Sequence, residues 1–200
     1  MGPVAGVPNG LRTPRIAPGS PADIGRVNAA ITRVLGIATG GRPPHLFTTL
    51  ARHRGLFRRW LWFAAALMPG GKLPRADSEL LILRVAANCG CEYEWRHHER
   101  IALTAGLTAE QIAAAREGEA DFSPRQLLLL RAADELHAER ELSDETWAEL
   151  TTFLSDTELI ELCMLVGHYE MLAMTLNSLR VEPDVLPDRQ PRLAARVLKR

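Results

Sequence analysis

The stretch Glu79-Leu-Leu-Ile-Leu-Arg-Val-Ala-Ala-Asn-Cys-Gly-Cys-Glu-Tyr-Glu-Trp-Arg-His-His-Glu99 decides how this chain folds. An oily helix runs from Leu80 into Asn88-Cys89-Gly90-Cys91, where the glycine breaks it, and a second helix starts at once. That second helix is crowded with groups that donate, accept or relay protons. Cys91, Glu94 and His98 stand at i, i+3 and i+7, so all three share one face. Glu79 precedes the oily run, and a hairpin of the two helices would return its carboxylate to that face.

Outward from this hairpin the same grammar repeats. Ser20-Pro21 supplies an N-cap and a first-turn proline for a helix with Ile24, Val27, Ile31, Val34 and Leu35 at helical spacing, closed by Gly40-Gly41. His45 to Leu67 reads as one or two helices, and Pro74 opens the Glu79 helix. The His98 helix stops at Gly106, and Thr108 caps a short helix ending near Gly118. Ser123-Pro124 opens a helix over 125–140 with Leu127, Leu128, Leu130 and Leu136 buried. Ser143 caps another reaching Leu154, and Asp156 caps the last, over 158–179. No run alternates with period two, so the expectation is an all-α fold of seven to nine helices. The domain expectation is a flexible tail over 1–19, with four prolines and four glycines, one helical domain over 20–182, and a Pro-rich basic tail over 183–200.

Composition narrows the function classes. Twenty-four basic residues balance 24 acidic ones, which leaves no field to steer nucleic acid or an anionic membrane. The longest apolar stretch noted, Trp60 to Pro69, is about half the roughly 20 residues a bilayer demands, and reads as a buried helix. The N-terminal residues lack the charged start and apolar core of a signal peptide, and three cysteines are too few and too odd for a disulfide framework. A cytoplasmic location is the expectation. Cys163, in an apolar helix, reads as inert core.

Each candidate site residue carries two readings. Glu79 either complements its helix dipole or joins a site with His98 or Cys91. Cys91, opening a helix, is either a thiol activated by positive partial charge or a small packed residue. Glu94 and His98, at i and i+4, are either an acid–base couple or an ordinary ion pair. Tyr93 and Trp95 would shade that pair from water and shape a substrate pocket. His97, about 100° round the helix, reads as solvent-facing. Glu94-x-x-His97 has di-iron spacing, but the only companion is Asp134-x-x-His137 with Glu135, and no metal is expected. His45, His53 and His168 lack partners at ligand spacing. A faint echo links Glu79-Leu-Leu-x-Leu and Tyr93-Glu94 to Glu158-Leu-Ile-x-Leu and Tyr169-Glu170, which is either a duplicated hairpin or coincidence. In the first case His168 and Tyr169 line the same pocket. Trp60, Trp62 and Phe63 read as core or oligomer interface.

Together these motifs resemble the carboxymuconolactone decarboxylase and alkylhydroperoxidase D superfamily. The carriers are Glu79, Cys91 and His98, the phrase Tyr93-Glu94-Trp95-x-x-His98-x-x-x-Ala102-x-x-x-Gly106-Leu107, the run Ala132-Ala-Asp-Glu-Leu136 and Leu165-Val-Gly-His-Tyr169. The resemblance spans roughly residues 40–180 and is greatest with the decarboxylase-like branch. It implies an alkylhydroperoxidase D-like helical domain with a helix-hairpin core, homo-oligomers (dimers, trimers or hexamers), and a site of Glu79, Cys91 and His98 near a subunit interface. It also implies acid–base chemistry on a small organic acid or lactone without a cofactor, in which His98 is the acid–base, Glu94 its partner, Glu79 a relay and Cys91 a pocket thiol. The chain departs from the peroxidase branch at the second cysteine, where Glu94 stands. Glutamate cannot resolve a sulfenic acid, so peroxide reduction through Cys91 would need Cys89 as the resolving thiol. A non-catalytic oligomeric binding protein with a vestigial pocket is the third expectation.

Overall fold

The computed structural model describes residues 13–39, 41–118 and 120–185. Among these, nine helices and no strand are found. They are α1 Pro21–Thr39, α2 His45–Leu50, α3 Arg54–Leu67, α4 Arg75–Asn88, α5 Glu92–Ala105, α6 Ala109–Arg116, α7 Pro124–Ala138, α8 Asp144–Leu150 and α9 Asp156–Leu179.

The oily run of the key stretch is the centre of the molecule. Four consecutive residues of α4, Leu80, Leu81, Ile82 and Leu83, are fully buried, which only a helix covered on every side allows. It packs against α5, α6, α7 and α9. At its N-terminus Asp77 is gripped by Arg125 of α7, whose Nε and Nη2 lie 2.8 and 2.7 Å from Oδ2. The opposite end closes in a Schellman turn: the Cys91 amide donates to Ala86 O at 2.8 Å and the Gly90 amide to Ala87 O at 3.0 Å. That turn puts Gly90 at φ +57, a left-handed value that suits glycine.

Several boundaries differ from expectation for local reasons. Ser155, not Asp156, caps α9, because its hydroxyl and Glu158 form a reciprocal capping box. The Ser143-capped helix α8 ends at Leu150 instead of Leu154. On α7 the buried stripe is Leu128, Leu129, Ala132 and Ala133, facing α4 and α9, while Leu127 is exposed. On α1, Gly25 is non-helical at φ 79 and ψ 158, which resets the phase: Ile24, Asn28 and Thr32 go inside, and Val27 and Val34 face out. The Arg54 guanidinium donates to Ala22 O and Asp23 O at that break.

The Trp60–Pro69 segment is not a buried helix, since Trp62 is 82% exposed. The one helix long and apolar enough for a membrane span among the described residues is α9, and most of it is inside the molecule. The tails are also partly tied down. Arg15 N donates to Leu179 O at 3.0 Å and Gly19 N to Thr48 O at 3.1 Å, so residues 13–19 pack as a strap. Asp184 anchors the other end. The remainder of both expected tails, 1–12 and 186–200, lies outside the described residues. The sequence echo is not a duplicated hairpin, because Tyr93-Glu94 opens a separate helix while Tyr169-Glu170 lies inside continuous α9.

Candidate functional site

The α4–α5 hairpin brings Glu79 and His98 into direct contact, with His98 Nδ1 2.7 Å from Glu79 Oε2. Glu79 is fully buried, so its dipole-complement reading gives way to an interior role. Its other oxygen lies 3.0 Å from Arg75 Nε, one turn back on α4, in an ion pair without hydrogen-bond alignment. The His98 side chain retains 12% exposure, and pairing through Nδ1 leaves Nε2 as the nitrogen that can meet a substrate. Tyr169 of α9 sets its ring edge-on to His98 at 5.1 Å. Burial, with the charges of Glu79 and Glu94, pushes the Tyr169 phenol well above its ordinary range.

Glu94 does not hold His98; among the described residues no hydrogen bond or ion pair joins them. It is 2% exposed, and among the described residues neither of its oxygens has a hydrogen-bond partner. Burial pushes its carboxyl up to about 8, the nearby Cys91 thiol working against the rise and the charge of Glu170 adding to it. The side chain is therefore a carboxylic acid at neutral pH.

Cys91 occupies the N-cap of α5, where partial positive charge favours thiolate, yet it is 1% exposed. Burial, followed by the charge of Glu94, pushes its thiol well above the ordinary cysteine range. The expected activation is overturned because desolvation outweighs the helix end. Cys89 is likewise raised to about 12 by burial and then by Glu170.

The remaining candidates separate. The Tyr93 hydroxyl donates to Asp184 and accepts from the Leu46 amide at 3.1 Å, and its ring stacks on His97 at 4.7 Å. His97 is not solvent-facing, because its Nε2 lies 3.0 Å from Asp184 Oδ2. Trp95 packs among Leu80, Leu83 and Ala102, with Arg116 4.1 Å above its ring. Among the described residues neither Tyr93 nor Trp95 makes a hydrogen bond or ring contact to Glu79 or His98. His168 stacks on Trp60 at 6.0 Å and meets Tyr169 edge-on at 5.2 Å, and burial pushes its imidazole down to about 4. It therefore backs the site through Tyr169.

The ligand set weighed for a di-metal centre does not converge. His97 turns to Asp184, Asp134 pairs with Arg84 at 2.6 Å, and Glu135 accepts from Thr146 and Ser143. Arg75 and Asp184 escaped the reading of the sequence. Arg75 was open to it, four residues before Glu79. Asp184 carries no local signal. An open depression of about 460 Å³, lined by Leu136, Arg140, Leu142, Trp147 and Cys163 among others, shares no residue with the Glu79–His98 contact.

Comparison with known proteins supports this frame. Residues 54–135 match the carboxymuconolactone decarboxylase family. An alkylhydroperoxidase AhpD core, an uncharacterized peroxidase-related protein from Ralstonia eutropha JMP134, superposes with a TM-score of 0.78 at 19% identity, covering 88% of this chain and 94% of that one. A peroxidase-related protein from Silicibacter sp. TM1040 gives 0.76 at 14% identity, covering 88% and 96%. The debrominase Bmp8 gives 0.71 at 16% identity, covering 92% and 97%. At such identities the shared property is the fold. No curated protein matches the chain in sequence.

Proposed function

We propose that this chain, whose residues 54–135 match the carboxymuconolactone decarboxylase family and whose fold is that of alkylhydroperoxidase D-like proteins, belongs to that superfamily and is a cofactor-independent enzyme acting by acid–base chemistry on a small organic acid or lactone. The contact that carries the reading is Glu79 Oε2 to His98 Nδ1 at 2.7 Å, a carboxylate–imidazole pair sheltered between two helices. Glu79 fixes the ring through Nδ1 and directs Nε2 at the substrate, where it takes or returns a proton. Arg75 shares the Glu79 charge. Glu94, protonated at neutral pH, is the proton donor of the site, and Cys91 is a neutral thiol in its wall.

Loss of CO₂ from a β-keto or vinylogous acid leaves an electron pair that must be delocalised and a carbon that must be protonated. A neutral carboxylic acid beside an oriented imidazole supplies both the hydrogen bond and the proton. The fully buried Cys91 and the partly buried Cys89, both with thiols raised by burial, weigh against peroxide reduction, because the attacking species is thiolate.

The site would work within a cytoplasmic homo-oligomer. Ile160, Met164, Met171 and Met174 form an exposed apolar stripe along α9, suited to a second copy. The test is CO₂ release from a panel of β-keto acids and carboxylated lactones, run beside a hydroperoxide-consumption assay. We expect CO₂ release that disappears in His98→Gln with helicity retained. Hydroperoxide consumption without CO₂ release from any panel member overturns the reading.

A further inference from the structure

Outside the Glu79–His98 contact, a second cluster joins the hairpin turn to α7 and α9. His137 Nδ1 lies 2.5 Å from Glu170 Oε1 and 4.0 Å from Cys89 Sγ. The sulfur, the nitrogen and a Glu170 oxygen all fall within 4.8 Å of one another. A hydrolytic Cys–His–Glu triad would use the two ring nitrogens separately, one toward the thiol and one toward the carboxylate. Here one and the same nitrogen faces both, and three donor atoms of different kinds converge on one point. That is the geometry of a chelate.

Glu94, 2% exposed and with neither oxygen hydrogen-bonded among the described residues, is a second acidic side chain near Cys89 and Glu170. The compensating cation is Arg140, 67% exposed and 3.6 Å from the second Glu170 oxygen. It leaves Oε1 turned to His137.

We propose that Cys89, His137 and Glu170 form a binding site for a divalent transition metal of the zinc type. Sulfur, imidazole nitrogen and carboxylate oxygen are the ligands Zn²⁺ favours, and three protein ligands leave a fourth position open. Binding replaces the Cys89 thiol proton, which leaves to solvent, with a metal–sulfur bond, and no electron is transferred. With metal–nitrogen and metal–oxygen bonds near 2.0–2.2 Å, the His137–Glu170 contact opens by somewhat under about 1 Å. His137 is one-third exposed, and its neighbours Leu136 and Arg140 line the open depression, so an ion has a route in. The site is distinct from the acid–base pair and stands or falls without it.

The test is titration of the chelator-treated full-length chain with Co²⁺, read by the thiolate-to-cobalt charge-transfer band. We expect one equivalent per chain, displacement by Zn²⁺, loss of the band in Cys89→Ser and its retention in Cys163→Ser. His137→Ala is expected to weaken binding about tenfold or more, and Glu170→Gln provides the same readout if His137→Ala fails to fold. Absence of a thiolate band, or a band that survives Cys89→Ser, overturns the proposal.

Discussion

Glu79 and His98, nineteen positions apart, meet at 2.7 Å because α4 reverses into α5 through a single Schellman turn at Gly90. The imidazole therefore takes its orientation from the preceding helix and not from Glu94, its neighbour one turn away. Replacing Glu79 by Gln keeps the shape but removes the charge that fixes the ring. Turnover in the CO₂-release assay should fall on the order of 10²-fold in Glu79→Gln, with an unchanged helical spectrum. Wild-type turnover in that variant would refute the pairing.

Cys91 is shut in at 1% exposure. With stoichiometric hydrogen peroxide at neutral pH, mass spectrometry should find no sulfenic acid at Cys91 and no Cys89–Cys91 disulfide. Prompt oxidation there would restore the peroxidase reading.

Asp184 ties the C-terminal segment to the body by accepting from the His45 amide at 2.9 Å and the Tyr93 hydroxyl, and by pairing with His97. Burial alone would raise its carboxyl, but hydrogen bonds from His97, Tyr93 and His45 hold it below the usual carboxylate range. A depressed folded-state value means stabilisation that is complete above the unfolded value, about 3.9, and is lost as pH falls through the lower folded one. Asp184→Asn should cost about 2 kcal/mol in urea unfolding at pH 7. The gap to wild type should narrow steadily below about pH 4. A gap independent of pH would contradict this account.

The α9 stripe offers a measurable consequence for assembly. Met164 and Met171 are each 46% exposed, seven residues apart on one face, and Gly167 lies between them on the same side. Light scattering should show a homo-oligomer for the wild-type chain and a smaller species for Met164→Glu/Met171→Glu, at unchanged helicity. A wild-type monomer would discard the interface.

Gly71 illustrates a close approach that no motif announces. Glu161 reaches from α9 to accept the Lys72 and Leu73 amides at 2.5 and 3.1 Å, and a Cβ on Gly71 would stand 2.1 Å from its Oε1. Gly71→Ala should lower stability by about 2 kcal/mol in urea unfolding, through loss of that grip.

By itself, the sequence determined that the domain is all-helical, where most of its helices start and stop, and that titratable groups crowd the hairpin around Cys91. Those properties are local: caps, glycine breaks and apolar spacing act over a few residues. Even so, α1 slipped its expected phase because one glycine left the helical region, and Leu127 was traded for Leu129 because partners on α4 and α9 chose the face. Which partner each charged group takes was decided only by the tertiary structure. Glu79 claims His98, Glu94 is buried beside the Cys91 thiol, Tyr93 and His97 turn to Asp184, and Cys89 meets His137 and Glu170. The state of the thiols was decided there too, since a helix end and a buried environment pull a cysteine in opposite directions. Pairing and desolvation depend on what three-dimensional packing brings alongside, and spacing along one helix does not contain that information.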